Sequence, residues 1–214
     1  MTIELLVPLL AIVGAVVGFA ADRLSTRWPD HEEGYARRGL DWRTALLTLG
    51  GGLVFAALAV RWPDPGPLVI LLGFSAALLV LLATDLDQRL LPDLITLPMI
   101  AVAALLLVAG WSPLLAGKEF ALVSGVAAAI AAPAFLFVTD LLIKGDLGSG
   151  DLKLAVSLGL LAGILRLFVG FLIASVVFAG VLVLLLVVRR VSLRSAVPFG
   201  PVLIGATFVA MFLR

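Results

Sequence analysis

Long apolar segments alternate with short polar ones along the whole chain of 214 residues. A membrane-spanning helix needs about 20 mostly apolar residues, and the pattern predicts seven such spans and one shorter span. These spans cover roughly residues 3–21, 44–60, 67–84, 94–110, 120–139, 154–165, 167–188 and 198–213. The sequence therefore predicts an all-α fold, a polytopic integral membrane helix bundle with about eight transmembrane segments.

Two of the apolar segments differ from an ordinary span. We expect 3–21 to be a retained helix, because it has neither a basic n-region nor an Ala-x-Ala-like cleavage site. Segment 154–165 has only twelve residues before Arg166, a rise of about 18 Å. Lipid tolerates such a half-helix when other helices surround it, so the sequence leaves open whether this segment crosses by itself.

Composition supports a membrane protein and excludes other classes. Hydrophobic residues make up 63% of the chain and the mean hydropathy is +1.23, whereas a soluble domain is about 45–50% apolar. The chain has no cysteine, and its single histidine, His31, cannot build a zinc site alone. The near balance of 15 basic and 14 acidic residues indicates no nucleic acid partner.

Basic residues predict the orientation in the membrane. Eleven of them lie in loops 22–43, 85–93, 140–153 and 189–197, and four lie in the alternate loops and at the C-terminal residue. Because cytoplasmic loops carry an excess of Lys and Arg, we expect the N-terminus outside and the first set of loops in the cytoplasm. The stretches 85–93 and 140–153 then lie on the same face.

Six aspartates cluster in these two stretches, where acidic residues beside apolar spans are costly. They are Asp85, Asp87, Asp93, Asp140, Asp146 and Asp151. Helix ends explain most of them. Asp93 has the position of an N-cap before an apolar run. Asp140 and Asp146 are expected to be solvated, and Arg89 and Lys144 are typical of positive-inside anchors.

Asp85 and Asp151 fit this explanation less well. Asp85 directly follows an eighteen-residue apolar run, and the C-terminus of a helix disfavours a negative charge. Asp151 follows Gly148-Ser149-Gly150, and two glycines so close together allow a tight bend and the close approach of another chain. From the residues alone, the two aspartates either cap helix ends or form a site.

A site of two carboxyl groups has a defined chemistry. When both share a small space, one keeps its proton and the other is ionised at neutral pH. The ionised group takes a proton from water, and the protonated group polarises a scissile carbonyl. The pair titrates as a unit, so the sequence assigns neither role to a particular aspartate. Such a reaction needs no metal and no cofactor.

These residues resemble the motifs of the prepilin leader peptidases, which belong to the GxGD intramembrane aspartyl proteases. Residues 148–151 resemble GxGD. Residues 85–93 resemble the first aspartate motif, in which an Asp at a helix end is followed seven residues later by Pro and then by Asp or Asn. The stretch Pro198-Phe199-Gly200-Pro201 resembles the segment that opens the family's last helix. The resemblance covers 67–214 well and implies that Asp85 and Asp151 are the catalytic aspartates.

One departure from the family concerns the first cytoplasmic loop. Many bacterial members carry two Cys-x-x-Cys pairs there and also methylate the new N-terminus with S-adenosylmethionine. This chain has no cysteine, so zinc is not expected, and whether methylation is retained stays open. The resemblance divides the chain into an N-terminal two-helix region with a basic loop, 1–66, and a peptidase membrane core, 67–214.

The resemblance also implies a substrate and a location. Family members cut the short basic leader from type IV prepilin and type II secretion pseudopilin precursors at the cytoplasmic face of the prokaryotic inner membrane. The expected partners are the precursor and lipid, with no nucleic acid. Gly148 and Gly150 would offer backbone groups to the unwound substrate. Arg89 and Lys153 would tune the carboxyl groups or meet the substrate, unless they only snorkel to the interface.

Three other functions compete with this interpretation. Intramembrane acids also serve as proton relays, so a proton- or ion-coupled transporter is the main alternative. A structural membrane subunit whose acids only cap helices is another, but it leaves the spacing of the two motifs unexplained. A lipid-head-group transferase would need several closely spaced aspartates for a divalent metal, and that spacing is not found.

Overall fold

The computed structural model describes residues 3–29, 38–115, 117, 119–143, 147–188 and 199–213, and every regular element in these ranges is a helix. This confirms the predicted all-α class. The helices are α1 (Ile3–Ser25), α2 (Trp42–Arg61), α3 (Pro65–Gln88), α4 (Asp93–Val108), α5 (Ala121–Ile143), α6 (Ser149–Val187) and α7 (Gly200–Phe212).

The surface of the bundle is apolar, as lipid requires. Five helices, α1, α2, α3, α5 and α6, are long and apolar enough to cross a membrane, whereas α4 and α7 are shorter apolar helices of 16 and 13 residues. Large hydrophobic side chains face outwards all round, and Leu53 and Val176, for example, are each 72% exposed. The protein is therefore a multi-pass membrane protein.

Helix α6 consists of two arms, 149–162 and 164–187, and the first arm runs antiparallel to α5. Gly159 of the first arm lies against Ala129. Just past the end of that arm, the Ile164 N–H donates to the Ser124 Oγ at 3.1 Å. Later residues of the first arm thus contact earlier residues of α5, as expected for two antiparallel helices.

The chain reverses its direction at Gly163. This residue has φ 71° and ψ 176°, in a region that glycine adopts without steric cost. Beyond it, the ring of Phe171 meets that of Phe135 with 6.2 Å between the centroids, so the second arm returns along α5. The two arms correspond to the predicted spans 154–165 and 167–188. The reversal falls at Gly163, and Arg166 lies in the second arm, not between the arms.

The main core runs through α3, α4, α6 and α7. Five large side chains there are almost completely buried, namely Leu71, Leu78, Leu154, Leu158 and Ile204. This packing explains how a short helical arm is stable within the bundle, because protein surrounds it on several sides. It also holds together the three elements that bear the candidate site.

A second cluster attaches the first two helices to α3. It contains Ala21 of α1, Leu47 and Phe55 of α2, and Leu79 and Ala83 of α3. The hairpin of α1 and α2 therefore packs along the part of α3 that leads to its C-terminal end. The division of the chain at residue 66 stays a prediction.

Candidate active site

Asp85 lies in the last turn of α3, and its side chain is buried inside the bundle. The residue is 4% exposed. The helix ends just after it, because Arg89 adopts a left-handed conformation with φ 56° and donates its backbone N–H to the Asp85 carbonyl oxygen at 2.9 Å. Pro92 follows three residues later and has no N–H to continue a helix. A C-terminal turn therefore places a carboxyl group in the protein interior.

Gly200, the first residue of α7, lies directly against the Asp85 carboxyl group. A Cβ atom added to Gly200 would stand 2.7 Å from both Cγ and Oδ2 of Asp85, which is well inside van der Waals contact. A side chain at this position would force the Asp85 carboxyl group or the start of α7 to shift. The sequence singled out the Pro-Phe-Gly-Pro stretch by resemblance but predicted no role for Gly200, and Pro198 lies outside the described residues.

Asp151 lies in the first turn of α6. Its backbone N–H donates to the Gly148 carbonyl oxygen at 3.1 Å, and Gly148, not Asp151, is the N-cap of the helix. The Asp151 side chain is half-buried. It thus projects from the start of α6 towards the end of α3.

The carboxyl groups of Asp85 and Asp151 lie close enough for the charge of Asp151 to act on Asp85, although 66 residues separate them in the sequence. Oδ2 of Asp85 and Oδ1 of Asp151 are buried and have no hydrogen-bond partner among the described residues. Since unpaired buried charges are costly, this arrangement favours a state in which one of the two carboxyl groups keeps its proton.

The segment between α3 and α4 packs on the first turn of α6. A Cβ atom on Gly150 would stand 2.8 Å from the Leu91 Cβ and 3.0 Å from its carbonyl oxygen. The chain that approaches Gly150 is therefore this segment of the same protein. At Gly148 the nearest atom to an added Cβ is the Asp151 Oδ2, at 3.5 Å, and φ is −69°. Gly148 thus occupies a conformation that any residue can adopt.

Lys153 forms an ion pair with Asp93. Its Nζ lies 2.6 and 2.7 Å from the two carboxylate oxygens of Asp93. The predicted N-cap role of Asp93 is wrong, because α4 has Pro92 as its N-cap and no side chain there accepts a capping hydrogen bond. The carboxylate of Asp93 turns instead to Lys153, and the pair links the starts of α4 and α6.

The sequence predicted that the charge of Arg89 would tune the carboxyl groups of the site. The Arg89 side chain is exposed, and its charge interacts with the Asp85 carboxyl group. Asp140 is not simply solvated, since its Oδ1 accepts the Leu147 N–H at 3.0 Å. Lys144 and Asp146 lie outside the described residues.

Sequence reasoning missed the part played by Asp87. Its Oδ1 accepts hydrogen bonds from Nη1 of Arg38 at 2.6 Å and from Nη1 of Arg43 at 2.7 Å. The sequence contained a signal for this pairing, namely a third acid two residues after Asp85 and an arginine-rich first loop. However, local periodicity does not reveal which arginine meets which acid at such separations.

The fold and this site define a class of protein: an all-α, multi-pass membrane protein with one buried and one half-buried carboxyl group near each other at one end of the bundle. The sequence matches the model of the type IV leader peptidase family over residues 72–185, a range that contains both aspartates and more than half of the chain. The chain belongs to this family.

Several relatives share this sequence pattern. A "Prepilin leader peptidase/N-methyltransferase" of Pseudomonas putida is 35% identical over 170 residues, which are 79% of this chain and 58% of the relative. Proteins of the same name from Burkholderia pseudomallei and Pseudomonas aeruginosa are 32% and 30% identical, over 83% and 78% of this chain and 57% and 55% of theirs. The chain thus spans somewhat more than half the length of these relatives.

No solved structure matches the chain. The family match confirms the resemblance that the motifs indicated. Neither that match nor the names of these relatives supports the transporter alternative.

Proposed function

We propose that this protein is an aspartic-type endopeptidase that removes the leader peptide from type IV prepilin or pseudopilin precursors. One observation carries the proposal: the carboxyl groups of Asp85 and Asp151 lie within electrostatic reach of each other, each with a buried oxygen that lacks a hydrogen-bond partner among the described residues. Two such groups are the chemical requirement for peptide hydrolysis by an aspartic mechanism. The names of the relatives suggest the substrate.

In the proposed reaction the ionised carboxylate removes a proton from water, and the water oxygen attacks the scissile carbonyl carbon. The protonated carboxyl group gives its proton to the carbonyl oxygen. The resulting gem-diol then collapses: the C–N bond breaks, the amine takes the proton that came from water, and a diol hydroxyl returns a proton to the other carboxylate. Either aspartate can begin as the ionised partner, since the pair titrates as a unit.

We place the site at the cytoplasmic face of the inner membrane. The proposal follows from the positive-inside distribution of Lys and Arg and from the position of both aspartates at helix ends. A precursor whose apolar helix lies in the bilayer and whose basic leader lies in the cytoplasm would present its cleavage site at this depth.

The start of α6 offers donors for an unwound substrate strand. The first N–H groups of any helix have no intrahelical partner. The Gly148 N–H serves the Asp151 carboxyl group, and the next residue, Ser149, is exposed. The backbone N–H of Ser149 would therefore hold the substrate backbone beside Asp151, while the exposed Arg89 meets its polar groups or adjusts the charge on Asp85.

The test is cleavage of a co-expressed prepilin by Asp85→Asn and Asp151→Asn at matched membrane levels. Each substitution keeps the size of the side chain and removes its proton chemistry, so each variant is expected to leave the precursor uncut. Asp64→Asn is the control, because Asp64 is an exposed acid at the other end of α3 without a side-chain capping bond. Normal cleavage by either dyad variant would contradict the proposal. The mass of the product's N-terminus shows whether a methyl group is added.

A further inference from the structure

A partly buried group of charged side chains joins three segments beside the candidate site. We call it the polar cluster. Its members come from the end of α1, from the residues before and at the start of α2, and from the last turn of α3. They are Asp22, Arg23, Arg38, Asp41, Arg43, Thr44 and Asp87.

Asp22 is the buried centre of the polar cluster. Its side chain has no exposed surface. It accepts hydrogen bonds from the Thr44 hydroxyl at 2.8 Å and from Nε of Arg23 at 3.0 Å, and it pairs with Arg38. Arg23 also donates to the Arg38 carbonyl oxygen at 3.1 Å. These bonds fix the segment before α2 against the end of α1.

Asp87 connects this fixed unit to α3. Arg38 and Arg43 both donate to its Oδ1, and the Asp87 side chain is only 13% exposed. Removing one partner of a largely buried ion pair leaves a charge without compensation, so such pairs hold their segments strongly. Next to it, Nε2 of Gln88 donates to the carbonyl oxygens of Ser25 and Pro29 at 3.4 and 3.1 Å.

The last turn of α3 is therefore held on two opposite sides. Residues two positions apart on a helix point about 200° away from each other. Asp87 faces the hairpin of α1 and α2, whereas Asp85 faces Asp151 of α6 and Gly200 of α7. Any rotation or shift of this turn at Asp87 moves the Asp85 carboxyl group by a similar distance.

We propose that Arg38 and Arg43 are positioning residues for the reaction, which act through Asp87 to hold the Asp85 carboxyl group against Asp151. The inference rests on the proposed function. The first helical hairpin, which carries neither aspartate of the pair, thereby becomes a part of the catalytic unit.

The charges of the polar cluster exclude a simpler explanation, a basic patch for lipid head groups. Its three arginines face three aspartates, so the cluster has no net charge. Arg38 bridges Asp22, Asp41 and Asp87. Each of the three guanidinium groups is already paired with at least one of these carboxylates, which leaves the cluster little charge to offer an external phosphate.

The first experiment measures kcat and KM for precursor cleavage by the purified protein in lipid vesicles. Asp87→Asn keeps the shape but loses the charge that both arginines bind. We expect kcat to fall about 10- to 100-fold, because a displacement near 1 Å at a reacting group has effects of this size, while KM changes little. Asp64→Asn, at the other end of the same helix, is the matched control.

Two substitutions at Arg43 distinguish the effect of its charge from the effect of its size. Arg43→Gln is expected to lower kcat to a similar degree. Arg43→Lys should keep most of it, since Asp87 receives a single N–H from this residue. Wild-type kcat in both Asp87→Asn and Arg43→Gln would overturn the inference.

A covalent tether gives a second, independent test. The chain has no cysteine, so Ser25→Cys with Gln88→Cys introduces the only thiols, at two residues already in contact. In the Asp87→Asn background, joining them with a short thiol cross-linker should restore kcat at least fivefold over the unlinked form. Failure to recover would show that the charge of Asp87, not the position of the turn, matters. Asp87 would then be a catalytic group, and the inference would be wrong.

The cross-linking yield itself needs no enzymatic activity. It is expected to fall when Asp87→Asn frees the end of α3. If wild-type protein cleaves no prepilin but the yield still depends on Asp87, the proposed function fails and the structural linkage stands. If cleavage depends on Asp85 and Asp151 but neither kcat nor yield responds to Asp87, only the positioning role is lost.

Discussion

At the scale of single residues, the candidate site depends on close contacts that leave no spare room. Asp85 is enclosed by α7 through Gly200, and the first turn of α6 is enclosed by Leu91 through Gly150. A methyl group at either glycine would meet a neighbour at 2.7–2.8 Å. The position of the two carboxyl groups is therefore set by backbone packing as much as by charge.

Gly200→Ala tests this packing. The added Cβ would force the Asp85 carboxyl group or the start of α7 to move, and we expect prepilin cleavage to fall at least about tenfold. Gly205→Ala on the same helix is the control, because its Cβ would meet only the Ala174 Cβ, at an ordinary 3.6 Å. Equal cleavage rates for the two variants, measured at matched membrane levels, would refute the idea.

Asp41 provides a prediction with a defined pH dependence. Partial burial alone raises its pKa, but hydrogen bonds from the Thr44 and Arg43 backbone and the charge of Arg38 hold the pKa of Asp41 below its usual 3.8. A carboxyl group whose pKa is lower in the folded protein stabilises the fold fully when the pH is above its pKa in the unfolded chain. This contribution is lost as the pH falls through its pKa in the folded protein.

As the N-cap of α2, Asp41 should stabilise the folded state by about 0.5–2 kcal/mol. Asp41→Ala is therefore expected to lower the unfolding midpoint at pH 7. The gap to wild type should shrink at pH 3, which lies below the usual 3.8, because the Asp41 carboxyl group of the unfolded chain is then mostly protonated. Denaturant unfolding in detergent micelles at both pH values checks this, and a gap that is unchanged at pH 3 would exclude the charge as its cause.

At the scale of elements, apolar runs predicted most helices to within a few residues, because lipid demands long uninterrupted apolar helices. The reversal in α6 was not predictable in the same way. Gly163 is one of 21 glycines, and only the tertiary contacts of the two arms show that the chain turns there. Because Arg166 is basic, the boundary between the two predicted spans was set there, three residues after the reversal at Gly163.

Gly163→Ala should destabilise the protein more than the same substitution at Gly180, in a regular part of α6. A residue with a side chain at φ 71° costs about 1–3 kcal/mol, and its Cβ would also stand 2.6 Å from the Ser124 Oγ. Gly180→Ala in the second arm is the control, with open space around its Cβ. Thermal unfolding should show a lower midpoint for Gly163→Ala alone.

At the scale of the whole molecule, the sequence predicted which end of the bundle carries the site but not how that end is assembled. The two aspartates were recognisable by their motifs. The bonds of Arg38 and Arg43 to Asp87 join residues 49 and 44 positions apart, and no local pattern encodes such pairings. The contact between Gly200 and Asp85 was equally unpredictable, because a glycine has no side chain from which its neighbour in the fold could be inferred.

The predicted orientation can be checked in intact cells, since the chain contains no cysteine. Asp64→Cys should react with a membrane-impermeant thiol reagent added outside. Leu90→Cys, at the site end of α3, should react only in inverted vesicles. Both positions are exposed in the structure. The reverse pattern would place the aspartates on the outer face.

The unequal lengths of the helices have a consequence for the surrounding lipid. The first arm of α6 has 14 residues, α4 has 16 and α7 has 13, which correspond to about 21, 24 and 20 Å. The hydrocarbon layer is about 30 Å thick, whereas α3, with 24 residues, reaches about 36 Å. Of the three short elements, only α4 has exposed side chains along its length. Hydrophobic mismatch at α4, which begins beside the candidate site, should therefore thin the bilayer locally. Vesicles of short-chain lipids are then a better setting for this protein than vesicles of long-chain ones.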